Sequence, residues 1–166
     1  MSNRRVSRRV ATPFQPMTVE GDPDASGLRF TVICARWNPT ITDALLRSAL
    51  QTLERRGARE ADVRVVRVPG AFELPAAARA EVSSGKTEAL IVLGAIVKGE
   101  TSHHEVLGHA VATALATLAA ETGHPIGFGL LTCDTMEQAR ERSGKGAEAA
   151  EAAIEMASLK RLLATR

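Results

Sequence analysis

The stretch GAIVKGETSHHEVLGH, from Gly94 to His109, comes close to two well-known site motifs. Its first half matches the phosphate-binding P-loop GxxxxGKT, except that Glu100 stands where that loop has its lysine. A carboxylate at this position repels a phosphate chain, so the sequence argues against nucleotide hydrolysis. Gly99 and the helix that follows still favour binding of one phosphate at the helix N-terminus, with Lys98 beside it.

The second half resembles the HExxH helix of zinc proteases, but its histidines have the wrong spacing. His104 and His109 are five residues apart, which separates them by about 140° around a helix, too far for one metal ion. The sequence therefore predicts no metal site. His103, in the first helical turn beside the expected phosphate, is suited to proton transfer near neutral pH. His104, His109 and His124 are interpreted as structural or exposed.

Two further segments place aromatic side chains immediately after predicted strands. Trp37, the only tryptophan, follows the first strand, and PGAFELP presents Phe72 and Glu73 after the second. One explanation is a flat ring bound between the aromatic residues, and the other is that each covers an edge of the core.

Phe128 and Arg142 do not fit a site formed by one subunit. Phe128 lies near the start of the fourth predicted strand, away from the other strand ends, and Arg142 ends a later helix. If both contact the same ligand, a neighbouring molecule must supply them. The simpler interpretation is a core phenylalanine and a solvated arginine.

The elements that must position these residues alternate along the chain. A near-continuous apolar run predicts a strand buried on both faces at 28–35, and further strands are predicted at 63–68, 89–96 and 125–133. Helices are predicted from Thr40 or Thr42, as N-cap, to about Arg56, with Gly57 ending that helix, and at 75–84, 102–123, 135–143 and 147–163. This alternation predicts an α/β three-layer sandwich with a four-stranded parallel sheet, whose ligands bind beyond the carboxyl ends of the strands.

Composition sets the remaining limits. The chain has 166 residues, 45% hydrophobic and 24% charged, with a net charge of +2 that is too small to indicate nucleic-acid binding. We expect an N-terminal arm over 1–27, partly flexible, and one domain over 28–166. The arginine-rich start, RRVSRR, is weakly similar to a transit peptide but is interpreted as a solvated tail. No apolar run could span a membrane, and two cysteines within apolar runs favour free thiols in a reducing cytoplasm.

Five segments occur in the order and spacing of the lumazine synthase family: RWNPTITDALL, VPGAFELP, GAIVKGETSHHEV, FGLLTCDTMEQARERSG and AIEMASL. The resemblance covers roughly residues 28–163 and implies a flavodoxin-like sheet. It implies condensation of 5-amino-6-(D-ribitylamino)uracil with 3,4-dihydroxy-2-butanone 4-phosphate to 6,7-dimethyl-8-ribityllumazine, with release of phosphate and water, in riboflavin biosynthesis. It further implies no metal or redox cofactor. A homopentamer with sites between subunits is expected, with decamers or icosahedral 60-subunit shells in some members.

The resemblance also assigns roles to individual positions, with His103 in proton transfer. Pyrimidine and ribityl binding is implied for Trp37, Ala71, Phe72, Glu73, Ala95, Ile96, Val97 and, from the adjacent subunit, Phe128. Phosphate binding is implied for Lys98, Gly99, Glu100, Thr101 and, from the adjacent subunit, Arg142, with Lys145 an approximate replacement for a phosphate-contacting lysine.

The sequence departs from the family pattern at several positions. Trp37 replaces a commoner phenylalanine, Lys98 replaces an arginine and keeps only its charge, and His104 replaces an aromatic residue. The connection around 143–150 is shorter than in many relatives, which affects predictions about larger assemblies.

Three alternatives remain open from the sequence. The first is a non-catalytic relative that binds lumazine or flavin, and the second is a purely structural cage subunit. The third is a flavodoxin-like signalling domain, which predicts an acidic metal pocket after the first strand, where Arg36, Trp37 and Asn38 offer none.

Overall fold

The structure, a computed structural model, describes residues 14–165. The prediction for the arginine-rich segment at positions 4–9 lies outside the described residues. Within them, one parallel sheet has the strand order β2-β1-β3-β4. Its strands are β1 (Phe30–Ala35), β2 (Val63–Val68), β3 (Ala89–Val97) and β4 (Ile126–Cys133). The predicted four-stranded parallel sheet is confirmed.

Five helices accompany these strands in the described part of the chain: α1 (Pro39–Arg55), α2 (Leu74–Ser84), α3 (His103–Thr122), α4 (Met136–Glu141) and α5 (Lys145–Ala164). Two short 3₁₀ turns, Glu60–Asp62 and Ala71–Glu73, precede β2 and α2. The predicted strand and helix bounds all agree with these to within two residues, except for the start of α1 if it is taken at Thr42.

Successive side chains of β1 point to opposite faces of the sheet and so divide the core in two. Phe30, Val32 and Cys34 pack with α1, α4 and α5, and Ile33 and Ala35 pack with α2 and α3. The chain therefore forms the three layers that the alternating pattern predicts. No helix within residues 14–165 is both long and apolar enough to cross a membrane.

The predicted N-cap of α1 is wrong. The helix begins at Pro39, and its N-cap is Asn38, which has φ 57° and ψ 57° and makes no side-chain capping bond. Proline suits the first helical position because that position needs no N–H donor. Asparagine is among the few residues that tolerate the left-handed conformation that the turn requires.

The segment before β1 is fastened to the amino end of the sheet. Ala25 and Leu28 are buried in the core. Arg161, near the end of α5, donates a hydrogen bond to the carbonyl oxygen of Gly27 at 3.2 Å and forms an ion pair with Glu88, which immediately precedes β3. These contacts hold α5, the incoming chain and the start of β3 together.

Candidate active site

Two adjoining depressions lie at the carboxyl end of the sheet, where the loops after β1, β2 and β3 meet. The first, of about 230 Å³, is lined by eight of the predicted site residues: Trp37, Ala71, Ala95, Ile96, Val97, Gly99, Thr101 and His103. The second, of about 310 Å³, shares Trp37, Ala71 and His103 with the first and adds Phe72 and Glu73. A larger depression of about 470 Å³, between α1 and β2, is lined by no predicted site residue.

The other predicted residues lie outside both depressions. Lys98 and Glu100 are exposed on the turn between lining residues. Phe128 is 49% exposed, pairs in register with Val92, and borders an apolar trough on α3 instead. Lys145 begins α5 and forms an ion pair with Glu148 at 2.6 Å.

Arg142 follows α4 and is exposed, and its guanidinium donates to the carbonyl oxygen of Gln138 at 3.2 Å. It is also close enough to β4 to affect a thiol there. Burial raises the pKa of the Cys133 thiol, and the positive charge of Arg142 opposes that rise. The guanidinium therefore lies near the carboxyl end of β4 without lining either depression.

The loop after β1 is fixed by a residue to which the sequence assigned no role. Asn38 is the one non-glycine residue with positive φ in the described chain. Its side-chain amide donates a hydrogen bond of 2.9 Å to the carbonyl oxygen of Ala95, on β3. The bond joins two walls of the first depression and orients the adjacent Trp37, whose side chain remains 76% exposed.

The loop after β2 is held by its own carboxylate. Glu73 accepts a hydrogen bond of 2.8 Å from the backbone N–H of Gly70 through Oε2. The backbone N–H of Trp37 donates to the carbonyl oxygen of Pro69 at 3.2 Å, which binds this loop to the loop after β1. Phe72, 70% exposed, therefore extends from a fixed turn toward solvent.

The turn after β3 presents unpaired backbone donors. Lys98 N–H donates to the carbonyl oxygen of Cys133 at 2.9 Å, which fixes the start of the turn to β4. Within the described chain, no hydrogen bond is formed by the amides of Gly99, Glu100 and Thr101. The helix α3 that follows has no side-chain cap at its N-terminus. Free amides and an uncapped helix N-terminus together favour an anion.

The four histidines differ in their exposure and in their position in the fold. His103 is exposed and lies on the wall shared by the two depressions. His104 is only 7% exposed, with Nδ1 at 3.2 Å from the carbonyl oxygen of Thr101. His109 is exposed, and His124 is buried at the far end of the molecule, where burial lowers its pKa. In the described residues, no three His, Cys, Asp or Glu side chains could share a metal ion.

Comparison with known proteins decides the family. The family model for 6,7-dimethyl-8-ribityllumazine synthase matches residues 27–161. The chain belongs to the 6,7-dimethyl-8-ribityllumazine synthase family. A protein of that name from Desulfotalea psychrophila is 47% identical over 149 residues, which is 87% of this chain and 96% of that protein. Another of the same name, from Nitratidesulfovibrio vulgaris, is 43% identical over 143 residues, 83% of this chain and 92% of that protein.

Membership of the 6,7-dimethyl-8-ribityllumazine synthase family confirms the resemblance found in the sequence. It also confirms the flavodoxin-like fold and the assignment of this chain as a transferase of riboflavin biosynthesis. Nothing in these comparisons favours a non-catalytic or cage-forming relative.

Six residues that line this lumazine synthase site were not among the predicted site residues: Ala35, Asn38, Pro69, Gly70, His104 and Leu107. Leu107 lines both depressions from the second turn of α3. The asparagine before Pro39 was the one available signal, because asparagine is enriched among residues with positive φ. The bond of His104 to Thr101 has no sequence signature, since the residue type alone does not distinguish a buried imidazole from a solvated one.

Proposed function

We propose that the two depressions hold the two substrates of lumazine formation side by side. The pyrimidine diamine occupies the part beside Trp37, and the butanone phosphate places its phosphate at the turn from Gly99 to Ser102. The observation that carries this proposal is the position of His103, on the wall common to both depressions. A proton carrier there reaches atoms of both substrates.

A flat heterocycle finds both a stacking surface and a hydrogen-bonding edge beside Trp37. The exposed indole ring supplies the surface. The pairing of β1 with β3 stops at Leu93, while β3 continues to Val97 paired with β4 alone. Because Ala95 directs its carbonyl toward the depression, Val97, two residues along the strand, directs its N–H and C=O the same way. These groups can pair with the edge of a pyrimidine.

The ribityl chain is assigned to the second depression. Glu73 uses Oε2 for the Gly70 amide, which leaves its other carboxylate oxygen to accept bonds from hydroxyl groups. Ala71 and Phe72 provide the apolar wall.

The phosphate is assigned to the free amides of the turn, supported by the hydroxyl of Thr101 and the charge of Lys98. Arg142 and Lys145 of the adjacent subunit complete this part of the site, because neither lines the depressions of its own chain. Of Glu100, we assign the backbone amide to phosphate binding and not the exposed carboxylate.

The reaction follows from holding the substrates in register. The amine at C5 of the pyrimidine attacks the ketone and loses water to give an imine. Elimination of inorganic phosphate then gives an enol, which tautomerises to a ketone. The ribitylamino nitrogen attacks this carbonyl, and a second water leaves as the ring closes. His103 relays protons in these steps, while most of the acceleration comes from orientation.

The assembly we propose is a homopentamer with its sites between subunits. Phe128 and a trough of about 350 Å³ lined by apolar side chains of α3 and β4 give one subunit an uncovered apolar face. Packing that face against the adjacent subunit would bring Phe128 toward the ligand bound to the adjacent subunit. The two buried free thiols, Cys34 and Cys133, support a reducing compartment such as the cytoplasm.

The activity test mixes purified protein with both substrates and follows lumazine absorbance above the uncatalysed background. Arg142→Ala is expected to lower kcat/KM by about tenfold or more, since it removes charge-assisted bonds to phosphate. Arg140→Ala, which removes an exposed charge two positions earlier, near the end of α4, is the matched control and is expected to change little. Equal losses in the two variants would contradict the phosphate role. His103→Ala should weaken catalysis without abolishing it.

Sharing of the site between subunits is tested by mixing Trp37→Ala and Arg142→Ala chains before assembly. If each site combines Trp37 of one subunit with Arg142 of the next, about one quarter of the sites in an equal mixture regain both residues. Activity should recover toward that fraction. A mixture no more active than the mean of the two variants would show that each chain builds its site alone.

A further inference from the structure

We propose that His104 is a positioning residue that holds the phosphate-binding turn in shape. It acts through its hydrogen bond to the carbonyl oxygen of Thr101 and does not itself touch the phosphate. This inference rests on the proposed function, because it gives a purpose to the conformation of the turn from Gly99 to Ser102.

The geometry of the bond shows which nitrogen of the imidazole ring is the hydrogen-bond donor. The imidazole is buried, and Nδ1 lies 3.2 Å from the Thr101 carbonyl oxygen, three residues earlier in the chain. A carbonyl oxygen only accepts hydrogen bonds, so Nδ1 must carry the proton. Nε2 faces the exposed carboxylate of Glu105 at 3.9 Å.

The turn needs such a contact because it has few others. Its start is fixed by the bond from Lys98 N–H to β4. Gly99 has no heavy atom within 4 Å of the position that a Cβ would occupy. At its other end, the carbonyl oxygen of Ser102 accepts helix bonds from the N–H groups of Glu105 and Val106. Between these ends, the described bond besides that of His104 joins the His103 amide to the Thr101 hydroxyl at 3.4 Å, a long and therefore weak contact.

The two ends of the turn are therefore fixed by different elements. β4 holds the beginning and the His104 ring, anchored in the core side of α3, holds the carbonyl of Thr101. Between them the free amides keep their direction before any anion arrives. Such preorganisation increases affinity, because the ligand does not have to order the backbone that binds it.

The test compares substitutions that separate the bond from the volume of the side chain. His104→Asn keeps an N–H donor close to the position of Nδ1, and His104→Leu has the same branching and number of side-chain heavy atoms as asparagine without a donor. His104→Phe fills the buried space more fully, also without a donor. Each variant is assayed for KM of both substrates and for competitive inhibition by inorganic phosphate. Product binding is followed separately through the emission of Trp37, the only tryptophan in a chain without tyrosine.

Loss of one hydrogen bond that orders the turn should weaken phosphate inhibition about fivefold in the Leu and Phe variants. KM for the butanone phosphate should rise in parallel, while KM for the pyrimidine and product binding should not change. The Asn variant should stay close to the unsubstituted protein in all measurements.

Equal behaviour of the Asn and Leu variants would overturn the inference, as would an effect that falls on pyrimidine binding. Normal phosphate inhibition in the Phe variant would also overturn it. Phosphate that fails to compete with the butanone phosphate in the unsubstituted protein would overturn the phosphate site of the proposed function, and this inference with it.

Discussion

Asn38 forms a side-chain hydrogen bond and also adopts a left-handed backbone conformation, and substitutions can separate the contributions of the two to stability. Its amide bonds the Ala95 carbonyl at 2.9 Å, and its backbone is left-handed at φ 57° and ψ 57°. A hydrogen bond of this kind contributes about 1 kcal/mol to the free energy of unfolding. Placing alanine in the left-handed region costs about 1–2 kcal/mol. Asn38→Ala should therefore lower the free energy of unfolding by about 2–3 kcal/mol.

Two further variants at this position isolate the two contributions. Asn38→Gly removes the bond without backbone strain, but it adds about 0.5–1 kcal/mol through the freedom of glycine in the unfolded chain. The expected loss is about 1.5–2 kcal/mol, less than for alanine. Asn38→Asp keeps the size and the backbone preference, yet it sets a carboxylate oxygen against the carbonyl and should cost more than 1 kcal/mol.

The measurement is urea unfolding at one fixed subunit concentration, since association makes apparent stability depend on concentration. Far-ultraviolet circular dichroism reports the whole fold, and Trp37 emission reports the neighbouring residue. Coinciding transitions would justify a two-state treatment. An alanine variant no less stable than the glycine variant would refute the strain argument. A fully stable aspartate variant would refute the role of the bond to Ala95.

Three further predictions concern other parts of the fold. Gly146→Ala would place a Cβ 2.0 Å from a backbone carbonyl oxygen of α1 and should lower the free energy of unfolding by about 1–3 kcal/mol or more. Gly144→Ala meets no atom within 4 Å and should leave that free energy nearly unchanged. Denaturant unfolding of the two variants measures the difference. Burial lowers the pKa of His124 below its usual value of about 6.5, so its neutral form is favoured in the folded chain. The contribution of His124 to the free energy of unfolding should therefore be fully present above that pH and should be lost as the pH falls below it. In unfolding measured at several pH values, His124→Gln should reduce this loss. Burial raises the pKa of Cys34 to about 11 and also raises that of Cys133. Because both thiols are buried and protonated, neither should react with a disulfide reagent at pH 8 until the protein is unfolded. Rapid modification of the folded protein would contradict the burial.

The sequence predicted the framework because each strand carries its own signal. The run ALIVLGAI is apolar on both faces, as expected for a central strand of a covered sheet, and it forms most of β3, in which eight of nine residues are buried. The sequence also predicted that the candidate site residues meet, because parallel strands direct their carboxyl ends, and the loops that follow them, to one end of the sheet, and eight of these residues line one depression there.

The details that were not predicted depend on contacts between distant segments. The bond from Asn38 to Ala95 spans 57 positions, and neither residue reveals its partner in the sequence. The left-handed turn moved the helix start to Pro39, although Thr40 and Thr42 have the side chains of ordinary caps. His104 departs from the family pattern in the sequence, and the positioning role proposed for it rests on its burial and its contact with Thr101, which the sequence does not reveal.

The fastening of Arg161 to Gly27 and Glu88 has a practical meaning for handling the protein. It places the end of α5 and the chain entering β1 at the amino end of the sheet, whereas Trp37 and His103 lie at the carboxyl end. A peptide tag or fluorescent protein joined after α5 would therefore leave the molecule on the side away from the two depressions. Attachment to a surface through such a tag should keep that surface away from the depressions.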